Sequence, residues 1–171
     1  AVAASVKVPI MLYNIPGRCG IEVSVETIKR LRESCDNLTS VKHATGKVEG
    51  VSQVLAACNI DVLSGDDPLT LPMMSAGAIG VVSVLSNLAP RTVKKMTDAG
   101  LKGDWKAARE AHHALWPFAS VLLGMDTNPI PVKTAMSIRG FCKEEFRLPI
   151  VPLASGEREA LAKLLRENEL R

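Results

Sequence analysis

Four times between Val8 and Leu101 a short apolar run gives way to a segment whose apolar residues recur at helical spacing, with no hairpin signal between. The runs are Val8–Tyr13, Thr39–Lys42, Ile60–Ser64 and Gly80–Val84. The first helical face is Val25, Ile28, Leu31 and Cys35, behind Ser24 as N-cap. The second is Val48, Val51, Val54, Leu55 and Cys58. A short third helix starts with Asp67 as N-cap and Pro68 at its first turn, and a fourth starts at Pro90 and buries Val93, Met96 and Leu101. Consecutive βα units of this kind imply a parallel sheet with right-handed crossovers. Val8–Tyr13 is apolar throughout, the pattern of a strand buried on both faces. Before it, Ala1–Lys7 reads as the end of a helix. After it, residues 14–20 read as a loop of turn formers.

Beyond Gly103 only helices are predicted. Asp104 caps a long one with Ala108, Ala111, Leu115, Phe118 and Leu122 at 3-4 spacing, and Pro117 is expected to kink it. A shorter helix opens at Asn128-Pro129-Ile130-Pro131 and ends at Gly140. Ser155 is expected to cap the last, with Leu161, Leu164 and Leu165 inside. Four βα units fit an open doubly wound sheet, or half of a (β/α)8 barrel, which needs about 250 residues in full.

Each predicted strand ends in small or polar residues: Tyr13-Asn14, Lys42-His43, Ser64-Gly65-Asp66 and Ser83. Lys42 stands where a strand hands over to a helix, which is where α/β proteins place their chemistry. A lysine among apolar neighbours is costly to keep charged, and its neutral amine can attack a carbonyl to form a Schiff base. The competing reading is a solvated lysine at a loop mouth. Tyr13, the single tyrosine, can relay a proton at a strand end or simply anchor the core edge. Arg18, after a Pro-Gly turn, can aim its fork at a carboxylate or stay in solvent. Gly65 lets backbone approach a ligand.

Composition removes other classes. The net charge is +3 with scattered basic residues and 4% aromatics, which argues against nucleic-acid binding. No apolar run approaches the roughly 18 residues of a membrane span, and no signal peptide is visible. The four cysteines form no C-x-x-C pair and read as reduced, mostly packed thiols of a cytoplasmic protein. The three histidines offer no metal site, and the capping role of Asp67 weighs against a metal at Gly65-Asp66-Asp67. There is no phosphate loop, dinucleotide fingerprint or nucleophile elbow.

Five stretches then occur in order: Tyr13 to Gly20, Val41 to Gly46, Leu63 to Asp67, Gly80 to Val84 and Asn128 to Lys133. Together they resemble the dihydrodipicolinate synthase family of pyruvate-dependent Schiff-base aldolases. The resemblance covers essentially the whole chain but only the C-terminal part of the family's length. It implies the C-terminal half of a (β/α)8 barrel, four βα units over residues 1–103, followed by a helical segment packed on it over 104–171. It implies a lyase of lysine and diaminopimelate biosynthesis that condenses pyruvate with aspartate semialdehyde to 4-hydroxy-tetrahydrodipicolinate. Lys42 matches the imine-forming lysine and Tyr13 a proton-relaying tyrosine. Arg18 matches the arginine that holds the aldehyde's carboxylate, and Gly65 and Val82 match main-chain positions lining the pyruvate pocket. No metal or organic cofactor, nucleic acid or membrane partner is implied, and a homodimer or homotetramer is.

His43 departs from the family's common acidic residue, and strand alternation is expected to point it away from the pocket. The family's threonine pair, second tyrosine and lysine-inhibition site have no match here. Another aldolase acting on a sugar-derived 2-keto acid, and a catalytically silent half-barrel, are the competing functions. The chain reads as a fragment whose two sheet edges, Val8–Tyr13 and Gly80–Val84, should pair with further chain.

Overall fold

The strands pair in the order in which they occur. The computed structural model describes residues 1–168, and its two compact units are Ala1–Ser83 and Val84–Arg171. The first unit runs α1 (Val2–Ser5), β1 (Ile10–Asn14), α2 (Pro16–Cys19), α3 (Val25–Ser34), β2 (Leu38–His43), α4 (Glu49–Ala57), β3 (Asp61–Ser64), α5 (Thr70–Ser75) and β4 (Gly80–Val81). The sheet is parallel with order β1-β2-β3-β4. Helices α3, α4 and α5 lie on one face: Ile28, Val51, Val54 and Met73 form one buried cluster with Leu38, Val41 and Val62. Neighbouring strands in sequence order with their connecting helices on one side are one arc of a (β/α)8 barrel. A doubly wound sheet reverses its strand order and uses both faces.

The opposite face of this unit carries Met11 and Tyr13, 40% and 44% exposed, so β1 is covered on one side and not on both as its apolar run implied. β2 gains one residue on β1: Ile10 pairs with Leu38 but Met11 pairs with Ser40, leaving Thr39 unmatched.

Local signals account for most ends. Ser24 Oγ accepts the Thr27 N–H, as its N-cap position predicts. The expected loop after β1 contains α2, one turn started by Pro16 and closed by Gly20 at φ 69°. The place expected of Asp67 belongs to Asp66, which precedes a 3-10 turn over Asp67–Leu69. Asp67 itself is buried, and its carboxylate accepts the Ser83 hydroxyl. β4 is two residues long instead of five, although Val82 N–H still donates to Ser64 O at 2.9 Å.

The second unit holds α6 (Pro90–Leu101), α7 (Trp105–Gly124), α8 (Ile130–Ile138) and α9 (Ser155–Glu167). Val93 and Met96 are buried on α6, whereas Leu101 is exposed at its last residue. Asp104 caps α7, which continues as helix through Pro117 and buries Ala108, Ala111, Leu115, Phe118 and Leu122 as their spacing predicts. Ser155 is the first residue of α9 and not its cap. Ala154 holds the cap position, and the Glu157 carboxylate reaches back to accept the Ala154 N–H at 3.1 Å. Between α8 and α9, Glu144 accepts from the buried Thr134 hydroxyl at 3.0 Å and from Arg158 Nε at 2.9 Å. All four cysteines are free thiols, and Cys19 and Cys142 are exposed where packing was expected. Among the described residues no helix is long and apolar enough to cross a membrane.

Candidate active site

Alternation sorts the end of β2. Val41 and His43 face the helices, and Lys42 faces the other side with its register partners Tyr13 and Leu63. The Lys42 Nζ lies 3.9 Å from the centroid of the Tyr13 ring. This contact places a cation on an aromatic face and a phenol beside an amine.

Gly65 completes the cluster from β3. Its N–H donates to His43 O at 2.7 Å, which brings the start of the next loop against β2. A Cβ here would stand 2.5 Å from Ala44 Cβ and 3.1 Å from Lys42 Cε. Glycine is thus required by the space that Ala44 and the lysine stem occupy. Val82 follows on the next strand end, its main chain tied to Ser64. Tyr13, Lys42 and Gly65 are therefore brought together, with Val82 one strand further along the same edge. Arg18 is carried by α2, exposed on that turn.

Three side chains that hold this edge have no role in the sequence reading. Asn14 is 2% exposed, and its amide closes both bonds to Val23, accepting from the N–H and donating to the carbonyl, each at 3.0 Å. It pins both ends of the segment that carries Arg18. A polar residue ending an apolar run is its only sequence signal. Ser64 is fully buried; its hydroxyl accepts from Asp66 N–H at 3.1 Å and donates to Asp66 O at 2.9 Å. Burial pushes the Asp66 carboxyl above the ordinary range. The Gly46 N–H and the charges of His43 and Lys42 oppose that rise, and Asp67 adds to it. Among the described residues no group of three or more potential ligands is placed to hold a metal ion.

An in-order parallel sheet, helices on one face and polar side chains gathered at the C-terminal strand ends define the class of (β/α)8-barrel proteins. The profile described as the Dihydrodipicolinate synthetase family matches residues 1–168, and the chain belongs to that family. It is 44% identical over 172 residues to the 4-hydroxy-tetrahydrodipicolinate synthase of Geobacter metallireducens, covering 99% of this chain and 59% of that protein. The solved dihydrodipicolinate synthase from Aquifex aeolicus superposes with a TM-score of 0.94 at 43% identity, covering 97% of this chain and 57% of that one. The chloride-inhibited dihydrodipicolinate synthase from Acinetobacter baumannii, solved in complex with pyruvate, gives 0.91 at 34% identity, with 97% and 57% covered. The chain thus spans under three-fifths of the length of these relatives and supplies four βα units of the barrel with the helical segment that follows.

Proposed function

We propose that these residues serve a lyase that condenses pyruvate with aspartate semialdehyde to 4-hydroxy-tetrahydrodipicolinate, through an imine on Lys42. The observation that carries the reading is the Lys42 ammonium over the Tyr13 ring on the helix-free face, with Gly65 held against the lysine stem. The Lys42 amine adds to the pyruvate carbonyl carbon, and the Tyr13 hydroxyl delivers the proton with which the carbinol oxygen leaves as water. Loss of a methyl proton gives an enamine, whose carbon attacks the aldehyde. The product's own amine then closes on the imine carbon and releases Lys42. Gly65 and Val82 line the pyruvate end with main chain, and Arg18 pairs with the aldehyde's carboxylate. Every group in this scheme is a side chain, main-chain atom or substrate, so the proposal needs no metal or organic cofactor. The pyruvate held by the Acinetobacter baumannii relative supports the choice of the first substrate.

The same reading makes residues 1–103 barrel and 104–171 a helical segment packed on it. It makes the whole protein a cytoplasmic homodimer or homotetramer of lysine biosynthesis. The test is borohydride reduction of the whole protein with pyruvate, followed by peptide mass spectrometry. Reduction should fix pyruvate on Lys42, and Lys42→Ala should abolish it. Arg18→Ala should leave trapping intact and raise KM for the aldehyde. Absence of the adduct identifies a silent half-barrel. Equal loss of both steps in Arg18→Ala removes the role given to that residue.

A further inference from the structure

His43 lies on the helix side of β2, next in sequence to Lys42, and is 3% exposed. A Cβ on Gly50 of α4 would stand 2.5 Å from its Nε2, so the imidazole packs against bare helix backbone. That nitrogen faces Lys47 O at 3.1 Å and Thr45 Oγ1 at 2.9 Å, while Lys47 N–H donates to the same Oγ1 at 3.3 Å. A carbonyl can only accept, so Nε2 carries a proton, and Nδ1 is the ring nitrogen left to find a partner. Nδ1 is buried without a hydrogen-bond partner. One other buried side-chain atom among the described residues is in the same state: Oδ2 of Asp66. The two residues are joined by the 44–47 turn. His43 holds Thr45 and Lys47, and Gly46 N–H between them bonds the Asp66 carboxyl. Loss of solvent favours the protonated form of that carboxyl, which is the form able to donate to Nδ1.

We propose that one proton is shared between His43 Nδ1 and Asp66 Oδ2 across one bridging water, and that the pair is a positioning unit for Lys42. The proton sits on the carboxyl beside a neutral ring, or on the ring beside a carboxylate; the pair is neutral either way. It closes the hydrogen-bond account of two buried groups and locks the loops after β2 and β3 to each other. The carbonyl of His43 already holds Gly65, and Gly65 touches the lysine stem, so movement at this pair reaches Lys42. The catalytic side of the inference rests on the function proposed above.

Variants of the whole protein separate the parts. His43→Gln keeps a donor toward Lys47 O but has no atom in the Nδ1 position. Asp66→Ala removes the partner, while Asp66→Asn keeps an oxygen for Gly46 N–H and an N–H for Nδ1. Two rates are read: borohydride trapping with pyruvate, and labelling of Lys42 by a small acylating reagent. H43Q and D66A should each slow both rates on the order of tenfold, because misplacement of the reacting group carries a large rate penalty. D66N should stay within about twofold of the parent, and the double variant H43Q/D66A should be no slower than either single one. Parent rates in H43Q and D66A, or losses that multiply in the double variant, would overturn the pair. If D66A does not fold, H43Q against D66N decides. The labelling rate does not depend on pyruvate being a substrate. Altered labelling with no trapping in the parent therefore rejects the proposed function and leaves the positioning pair standing.

Discussion

Replacing Gly65 by alanine puts a methyl where Ala44 Cβ is already 2.5 Å away, against 3.4 Å or more for ordinary contact. One of the two must retreat by about 1 Å, the difference between those distances. Neither is a flexible chain end. Ala44 N–H is fixed on Asn14 O at 2.9 Å and Gly65 N–H on His43 O at 2.7 Å, so the retreat moves backbone. Overpacking of this kind costs about 1–3 kcal/mol. Lys42 Cε, 3.1 Å from the new atom, is pushed in the same movement. The lysine stem has to yield about 0.3 Å, well short of the roughly 1 Å misplacement that costs about 10²-fold, so the trapping rate should fall by roughly severalfold. The assay is the time course of borohydride trapping with pyruvate, followed at Lys42, alongside urea unfolding. The double variant Ala44→Gly/Gly65→Ala removes the opposing methyl and should recover most of the trapping rate. Unchanged trapping and stability in G65A would show that the loops are not packed as described. A double variant as slow as the single would show that Ala44 is not the obstruction.

Asn14→Ala strands the N–H and C=O of Val23 and should destabilise by about 1–3 kcal/mol in urea unfolding; a value near zero would mean that solvent replaces both bonds. His112 on α7 has its pKa lowered from 6.5, first by burial and then by the charge of His113. Its neutral form is therefore favoured on folding, and stability falls as pH drops below the unfolded value. His112→Gln should flatten the urea midpoint between about pH 5 and 7, and parallel curves would reject the assignment. Glu144→Ala leaves the buried Thr134 hydroxyl without its acceptor and should cost about 1–3 kcal/mol, most of it through Thr134 because Arg158 is half exposed. Thr134→Val in the same chain should therefore recover part of the loss, and a purely additive double variant would place the energy in the ion pair.

What could be read from the sequence follows the reach of each interaction. Ser24 and Asp104 cap helices three residues away, so their roles are local and legible. The side of β2 taken by Lys42 follows from its one-residue offset from Val41 and His43. Asp67 carries the sequence signature of a cap but is buried against Ser83, sixteen residues on, a distance at which local pattern is silent. Asn14 and Val23 are nine residues apart, across α2, and no motif marks the pair. The one-turn α2 hides because Pro16 and Gly20, which open and close it, are also the residues of a loop. β4 ends at Val81, short of its valine run, and two residues on the Ser83 hydroxyl donates to Asp67, a contact that no local pattern marks. The orphaned atoms of His43 and Asp66 are invisible until the chain is folded.

The unmatched Thr39 divides β2 into two stretches of opposite parity. Before it Leu38 points to the helices; after it Val41 and His43 do, an odd number of residues later. A strictly alternating strand cannot serve both ends: with Leu38 in the core, position 42 would also face the core. The bulge that leaves Thr39 unpaired therefore acts as a phase shift, by which one strand is anchored by its first residue and reactive near its last. Deleting Thr39 makes the shift unnecessary: Leu38, Val41 and His43 then follow one another at two-residue steps, and regular alternation keeps them in the core with Lys42 outside. Forcing Thr39 into the ladder without that deletion has the opposite effect, since either Leu38 leaves the core or the lysine turns into the helix layer.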